Sequence, residues 1–203
     1  MSDKPCILIS EPISTGRNYI DDAINRGYEP IVLEPWLDIP EESRNYMNWA
    51  EGDRYVGTIP EGTKVILGKE NYEETLAEVK QYPIAAVVSG SEFGVVVVDR
   101  LAKDLGLLGN PVELSQSHRD KDLMQERLKE AGLRYIRGKR VKSLEEAEAF
   151  IDAEGLEQAV VKPVDAASST GLHICDSKQE TLDAIKESLG QVALFADTTK
   201  GLL

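Results

Sequence analysis

The stretch Val160–Cys175 reads VVKPVDAASSTGLHIC, and its order of residue types decides the fold of the second half of the chain. The apolar runs Ala159–Lys162 and Leu172–Cys175 predict two strands, which a loop of small residues joins as a hairpin. Small side chains let backbone N–H groups approach an anion closely, and hydroxyls add further hydrogen bonds. The hydroxyl residues of the loop are Ser168, Ser169 and Thr170, and Gly171 ends it.

Lys162 stands directly before this loop, where its ammonium group can reach a phosphate oxygen as a point charge. Neither common phosphate motif is present in the sequence, since there is no GxxxxGK[ST] and no GxGxxG after the first predicted strand. A plain hairpin turn and a strand-end lysine reaching water are the alternative interpretation. His173 alternates with Leu172 and Ile174, which predicts that its ring faces solvent.

The first part of the chain alternates between strands and helices. Cys6–Ser10 and Glu29–Leu33 predict buried strands, and a helical pattern between them ends at Gly27. Such a β-α-β unit is typical of a parallel sheet. Glu11 and Glu92 each follow a predicted strand at the carboxyl edge of this sheet, where ligands bind in open α/β folds. We therefore treat these two glutamates as candidate substrate residues.

A second informative segment, RDKDLMQERLKEAGL, spans Arg119–Leu133 upstream of the hairpin. An Asp-Lys pair, a helix and then Ala-Gly resembles the opening of the ATP-binding domain in ATP-grasp enzymes, and the hairpin resembles their glycine-rich loop. The segments NPVELSQSHRDK and KPVDAASSTG look most like the corresponding sequences of L-amino-acid ligases of the bacilysin synthetase type. They are also similar to carbamoyl-phosphate-synthase-like and biotin-carboxylase-like members.

The resemblance implies an α/β fold in two parts. Residues 1–112 would form a Rossmann-like, pre-ATP-grasp parallel-sheet domain, and residues 113–203 the α+β first ATP-grasp lobe, with the second lobe absent. Lys121 and Lys162 would contact ATP phosphates or the adenine side of the cleft. The flap over the β- and γ-phosphates would consist of Ser168, Ser169, Thr170 and Gly171.

The activity implied by the resemblance is that of an ATP-dependent carboxylate–amine ligase acting through an acyl phosphate, with ATP and Mg²⁺ as cofactors. In the family the adenine hinge and the magnesium ligands come later in the chain, so no metal ligand is assigned here. The expectation is an expressed fragment, one partner of a split gene, or a truncated relic. A non-catalytic orphan binding module is the alternative, as is a biotin-carboxylase-like or carbamoyl-phosphate-forming member.

The composition of the chain disfavours some classes of binding partner. The net charge of −13 and the pI near 4.7 disfavour binding to nucleic acid or to an anionic membrane. The sequence has no apolar run of about 18 residues and no signal-peptide pattern, which predicts a cytoplasmic protein. Cys6 and Cys175 lie in apolar runs and are predicted to be buried free thiols. An exposed apolar face on the first lobe would favour self-association or a complementing second-half chain as partner.

Overall fold

The computed structural model describes residues 4–34, 59–164, 171–189, 192–193 and 196–197. Contacts divide the chain into two compact units, Met1–Ser115 and Gln116–Leu203. In the stretches that the structure describes, no helix is long and apolar enough to cross a bilayer.

The first unit is built on a four-stranded parallel sheet with the order β3-β2-β1-β4. Its strands are β1 (Cys6–Ser10), β2 (Glu29–Glu34), β3 (Lys64–Leu67) and β4 (Ile84–Ser89). β1 pairs in parallel with both β2 and β4, and β2 with β3. The predicted parallel α/β sheet is therefore confirmed, and the carboxyl ends of all four strands meet at one edge.

In the described residues of this unit, three helices connect and cover the strands. They are α1 (Asn18–Asn25), α2 (Tyr72–Val79) and α3 (Val95–Asp104), with 3₁₀ turns at Ser14–Arg17 and Val112–His118. Gly27 and Gly106 follow α1 and α3 with φ of 86° and 68°, the left-handed conformation that ends a helix readily at glycine.

The core of the first unit is aliphatic and is drawn from every strand. Removing these side chains from water provides the main driving force for folding. The fully buried side chains at its centre are Leu8, Ile31, Leu33, Ile66, Val79 and Leu101. Cys6 is a buried free thiol in this core, and Cys175 is one in the second unit, which confirms the prediction for both.

The second unit places two helices on a small antiparallel hairpin. The hairpin pairs β5 (Ala159–Val161) with β6 (His173–Cys175). The helices of the unit are α4 (Lys121–Glu130), α5 (Leu144–Glu154) and α6 (Lys178–Ser188), and a further short pair joins β7 (Val192–Ala193) to β8 (Ala196–Asp197). A separate core lies between α5, α6 and the hairpin, with Ala147, Val161, Cys175 and Ile185 among its buried side chains.

Side-chain caps start α5 and α6. Ser143 Oγ accepts a hydrogen bond from the Glu146 amide at 3.2 Å, and Ser177 Oγ accepts one from the Glu180 amide at 3.2 Å. Each satisfies one of the amides that the first helical turn leaves without an intrahelical partner. The Ser-x-x-Glu pattern thus correctly marks both helix starts.

The sequence of Tyr135–Val141 also predicts a strand, and this prediction is wrong. Residues 133–140 form no strand, and only Val141 makes an isolated bridge. The Ile136 amide donates to Gln125 Oε1 at 2.7 Å, and Arg137 pairs with Glu154 at 3.0 Å. Bonds to helix side chains therefore replace a backbone ladder along this basic segment.

The prediction that His173 faces solvent is also wrong. Its ring is half-buried, and Nε2 lies 3.3 Å from Ser188 Oγ on α6. Ile174 is instead 77% exposed, beside Val160, its partner in the hairpin, which is 48% exposed. The helices cover the face that carries Val161 and Cys175, so alternation along β6 sends Ile174 outward.

Candidate functional site

Lys121 begins α4 at a place where two chain segments meet. Its backbone N–H donates to the carbonyl oxygen of Val164 at 2.9 Å, and its Nζ lies 3.5 Å from the same oxygen. Val164 is fully buried and stands two residues after Lys162. The structure therefore brings the start of α4 to the segment that leads from β5 into the small-residue loop.

Lys162 directly follows β5 and lines a groove of about 600 Å³ in the second unit. Its side chain is half-buried, and it forms no ion pair with any residue that the structure describes. Apolar side chains, including Ile136, Phe150, Val160 and Ile174, form much of the wall. Such a groove suits a ligand with an apolar part and an anionic part.

Gly171 closes the loop against its starting point. Its φ is 69°, and a Cβ added there would lie 3.0 Å from Pro163 Cγ. Glycine is therefore favoured by conformation and by space, and the two ends of the loop are in contact. Ser168, Ser169 and Thr170 lie outside the described residues, so their predicted role remains a prediction. Of the predicted phosphate residues, the structure places Lys121, Lys162 and Gly171 around the base of one loop.

A cluster of one arginine and two aspartates flanks Lys121. Arg140 Nε donates to Asp122 Oδ2 at 2.8 Å, and its Nη2 donates to both Asp120 and Asp122. Hydrogen bonds to Asp122 and Asp120 raise the pKa of the Arg140 guanidinium, which stays charged. Burial raises the pKa of Asp120, whereas at Asp122 the effect of burial is outweighed by hydrogen bonds, chiefly from Arg140, that lower the pKa.

Sequence reasoning missed this cluster. The Asp-Lys-Asp run was visible, but Arg140 lies 18 and 20 residues away in a basic run that contains several cations. No spacing rule connects the two, because the segment between α4 and α5 is irregular.

At the carboxyl edge of the first unit, Glu11 directly follows β1. It is fully buried, has φ of 48°, and accepts a hydrogen bond from Ser91 Oγ at 2.7 Å. Glu92 is the next residue along the chain from Ser91 and is exposed. The two predicted glutamates thus belong to the loops after β1 and β4, one fixed in the interior and the other facing water.

These loops approach each other closely at two glycines. A Cβ added to Gly16 would overlap the Gly90 carbonyl group, lying 2.6 Å from its carbon atom. A Cβ added to Gly90 would lie 2.6 Å from the Glu11 carbonyl oxygen. The backbone contact therefore holds Glu11 in place and requires both glycines.

Within the residues that the structure describes, no group of three or more His, Cys, Asp or Glu side chains could hold a metal ion. The two aspartates on either side of Lys121 in the sequence are bonded to Arg140.

The segment that carries Lys121, Lys162 and Gly171 matches a known family model. Residues 119–200 match the family described as phosphoribosylglycinamide synthetase, ATP-grasp (A) domain. This segment is therefore similar to the ATP-binding domain of ATP-grasp enzymes. An ATP-grasp fold accounts for the α/β architecture seen here, a parallel-sheet unit followed by helices on an antiparallel hairpin.

Its curated relatives include ligases. Dapdiamide A synthase of Enterobacter agglomerans is 27% identical over 206 residues, which cover 100% of this chain and 46% of that protein. Alanine–anticapsin ligase of Bacillus amyloliquefaciens is 29% identical over 116 residues, covering 57% of this chain and 24% of that protein. The chain thus spans less than half the length of the curated relatives it matches.

Solved ATP-grasp structures show the same fold. The L-amino acid ligase of Bacillus licheniformis has a TM-score of 0.56 at 17% identity, covering 91% of this chain and 42% of that one. The N5-carboxyaminoimidazole synthetase of Staphylococcus aureus complexed with ADP has a TM-score of 0.63 at 19% identity, covering 89% and 44%.

Proposed function

We propose that the second unit binds the phosphates of Mg-ATP for an ATP-grasp ligase that joins a carboxylate to an amine. The observation that carries this proposal is the contact between Lys121 and Val164, which places α4 at the base of the loop after Lys162. Two lysines beside a loop of small residues are suited to a polyphosphate, because ammonium groups neutralise charge and backbone amides donate to oxygen.

The proposed reaction transfers the γ-phosphate of ATP to a carboxylate oxygen, which releases ADP. An amine then attacks the acyl carbon of the acyl phosphate, the amide bond forms, and inorganic phosphate leaves with the bonding electron pair. The role of Lys121 and Lys162 would be to position the phosphates and offset their charge, which supplies most of the catalysis in phosphoryl transfer. Mg²⁺ would neutralise phosphate charge and, with no carboxylate cluster among the described residues, would reach this unit on the nucleotide.

We propose that Glu92 contacts the substrate at the first unit, and that Glu11, which is fully buried, supports this edge by accepting the hydrogen bond from Ser91. A carboxylate at the carboxyl edge of a parallel sheet can pair with an ammonium group, as an amino-acid substrate would carry. The hydrogen bond from Ser91 fixes the Glu11 carboxylate. Glu92 is exposed and accessible to a substrate.

Trapping of the acyl phosphate tests the reaction class. The chain is incubated with Mg-ATP, hydroxylamine and a panel of L-amino acids, and hydroxamate and ADP are measured together. The proposal predicts hydroxamate in stoichiometric amounts with ADP, dependent on an amino acid. ADP release that requires bicarbonate instead would point to the biotin-carboxylase-like or carbamoyl-phosphate-forming alternative. Nucleotide binding without either product would leave the chain as a binding module.

A further inference from the structure

We propose that Arg140 is a positioning residue for Lys121. By bridging the two carboxylates on either side of Lys121, Arg140 fixes the first turn of α4 at the base of the loop. It also offsets their negative charge where the phosphates are proposed to bind. The charge part of this inference rests on the proposed function, whereas the positioning part is a property of the ligand-free chain.

Asp120 bonds to Arg140 and does not cap α4. It occupies the N-cap position of α4, yet its side chain makes no capping hydrogen bond. An aspartate at this position usually stabilises a helix through such a bond. Here its carboxylate is only 7% exposed and bonds to Arg140. The side chain therefore connects α4 to the segment that precedes α5.

α4 is also held by the hydrogen bond from the Ile136 amide to Gln125, but no side chain on it is fully buried. By contrast, α5 buries two apolar side chains. Apolar packing therefore contributes little to its position. The polar connections at its first turn include the Arg140 bridge and the hydrogen bond from the Lys121 amide to Val164. Loss of the first should weaken the second.

The bridge also sets the charge around Lys121. Asp120 and Asp122 are its immediate neighbours, and both are bonded to Arg140. Without the arginine, two carboxylates would repel a phosphate and attract the Lys121 ammonium group. Partly buried charges interact more strongly than charges in bulk water, so the effect is expected to be measurable.

Amide hydrogen exchange of the ligand-free chain tests the positioning directly. In Arg140→Met we expect the Lys121 amide to exchange about tenfold faster or more, because its hydrogen bond to Val164 opens more often. The amides of Glu146 and Glu180, in the caps of α5 and α6, should keep their rates. The control Arg137→Met removes the same charge from the same segment, but only the exposed pair with Glu154.

An unchanged Lys121 exchange rate in Arg140→Met, or an equal change in Arg137→Met, would overturn the proposal. If Arg140→Met does not fold, Arg140→Lys serves instead, because a single ammonium cannot hold both carboxylates in the fork of a guanidinium. Faster Lys121 exchange is expected in that variant as well, and an unchanged rate would again count against the bridge.

Mg-ATP titration tests the charge effect separately. Arg140→Met should bind about tenfold more weakly than the unmodified chain, and adding Asp120→Asn and Asp122→Asn should restore much of the affinity. If the Asp120→Asn and Asp122→Asn substitutions do not restore the Mg-ATP affinity lost in Arg140→Met, the proposed charge effect is wrong. If the unmodified chain itself fails to bind, the proposed function fails, while the exchange experiment still decides the role of Arg140.

Discussion

Replacing Lys162 by alanine is expected to weaken Mg-ATP binding by about tenfold or more. A hydrogen bond between charged groups contributes about 1.5–3 kcal/mol, and each 1.4 kcal/mol corresponds to about a factor of ten in affinity. Lys162 lies after β5 with no ion pair to any described residue, so its ammonium group is not committed to a carboxylate there. Isothermal titration calorimetry of each folded variant with Mg-ATP measures the change.

Two further variants make the Lys162 result specific. Lys162→Met keeps an apolar stem and should lose affinity as alanine does, because only the charge is absent. Lys142→Ala removes an equal charge from an exposed site beyond the groove and should bind normally. Equal affinity for Lys162→Ala and Lys142→Ala would show that Lys162 does not contact the phosphates.

Replacing Gly16 by alanine is expected to lower the free energy of unfolding of the first unit by about 3 kcal/mol. The added methyl group would occupy the space of the Gly90 carbonyl, which is backbone and cannot rotate away. This overlap can be relieved only if the loops after β1 and β4 separate, and their separation also disturbs Glu11. Exchange of the Leu8 and Val32 amides, in β1 and β2, during denaturant unfolding reports on this unit.

Gly27→Ala is the matched control for this steric effect. Gly27 has φ of 86°, and no heavy atom of the described residues lies within 4 Å of an added Cβ. Alanine there should cost only about 1–2 kcal/mol, the strain of a left-handed conformation. If Gly16→Ala is no more destabilising than Gly27→Ala, the close contact between the two loops is not part of the stable fold.

The sequence predicted the parts of this protein that local chemistry determines. Buried apolar runs gave the parallel strands β1 and β2, and the Ser-x-x-Glu pattern gave the starts of α5 and α6. The hairpin around the small-residue loop was also correct. In each case the interacting residues are close in sequence, or the pattern of apolar residues is enough to predict the strand.

The errors arise where distant residues decide the structure. His173 was placed toward solvent because apolar neighbours were assumed to face a core, yet the hairpin exposes Ile174 on its open face. The segment before α5 looked like a strand, but its bonds go to side chains on α4 and α5. The contact of Glu11 with Ser91 spans 80 residues, and no local pattern predicts it.

Backbone amide spectra recorded during titration with Mg-ATP test the central claim most directly, because they locate the nucleotide on the chain. We expect saturable chemical-shift changes at the Lys121 amide and within residues 160–175, and unchanged amide signals from β1 to β4 with nucleotide alone. Saturable binding that shifts only residues of the first unit, or a folded chain whose spectra do not change at millimolar Mg-ATP, would contradict a phosphate site at Lys121 and Lys162.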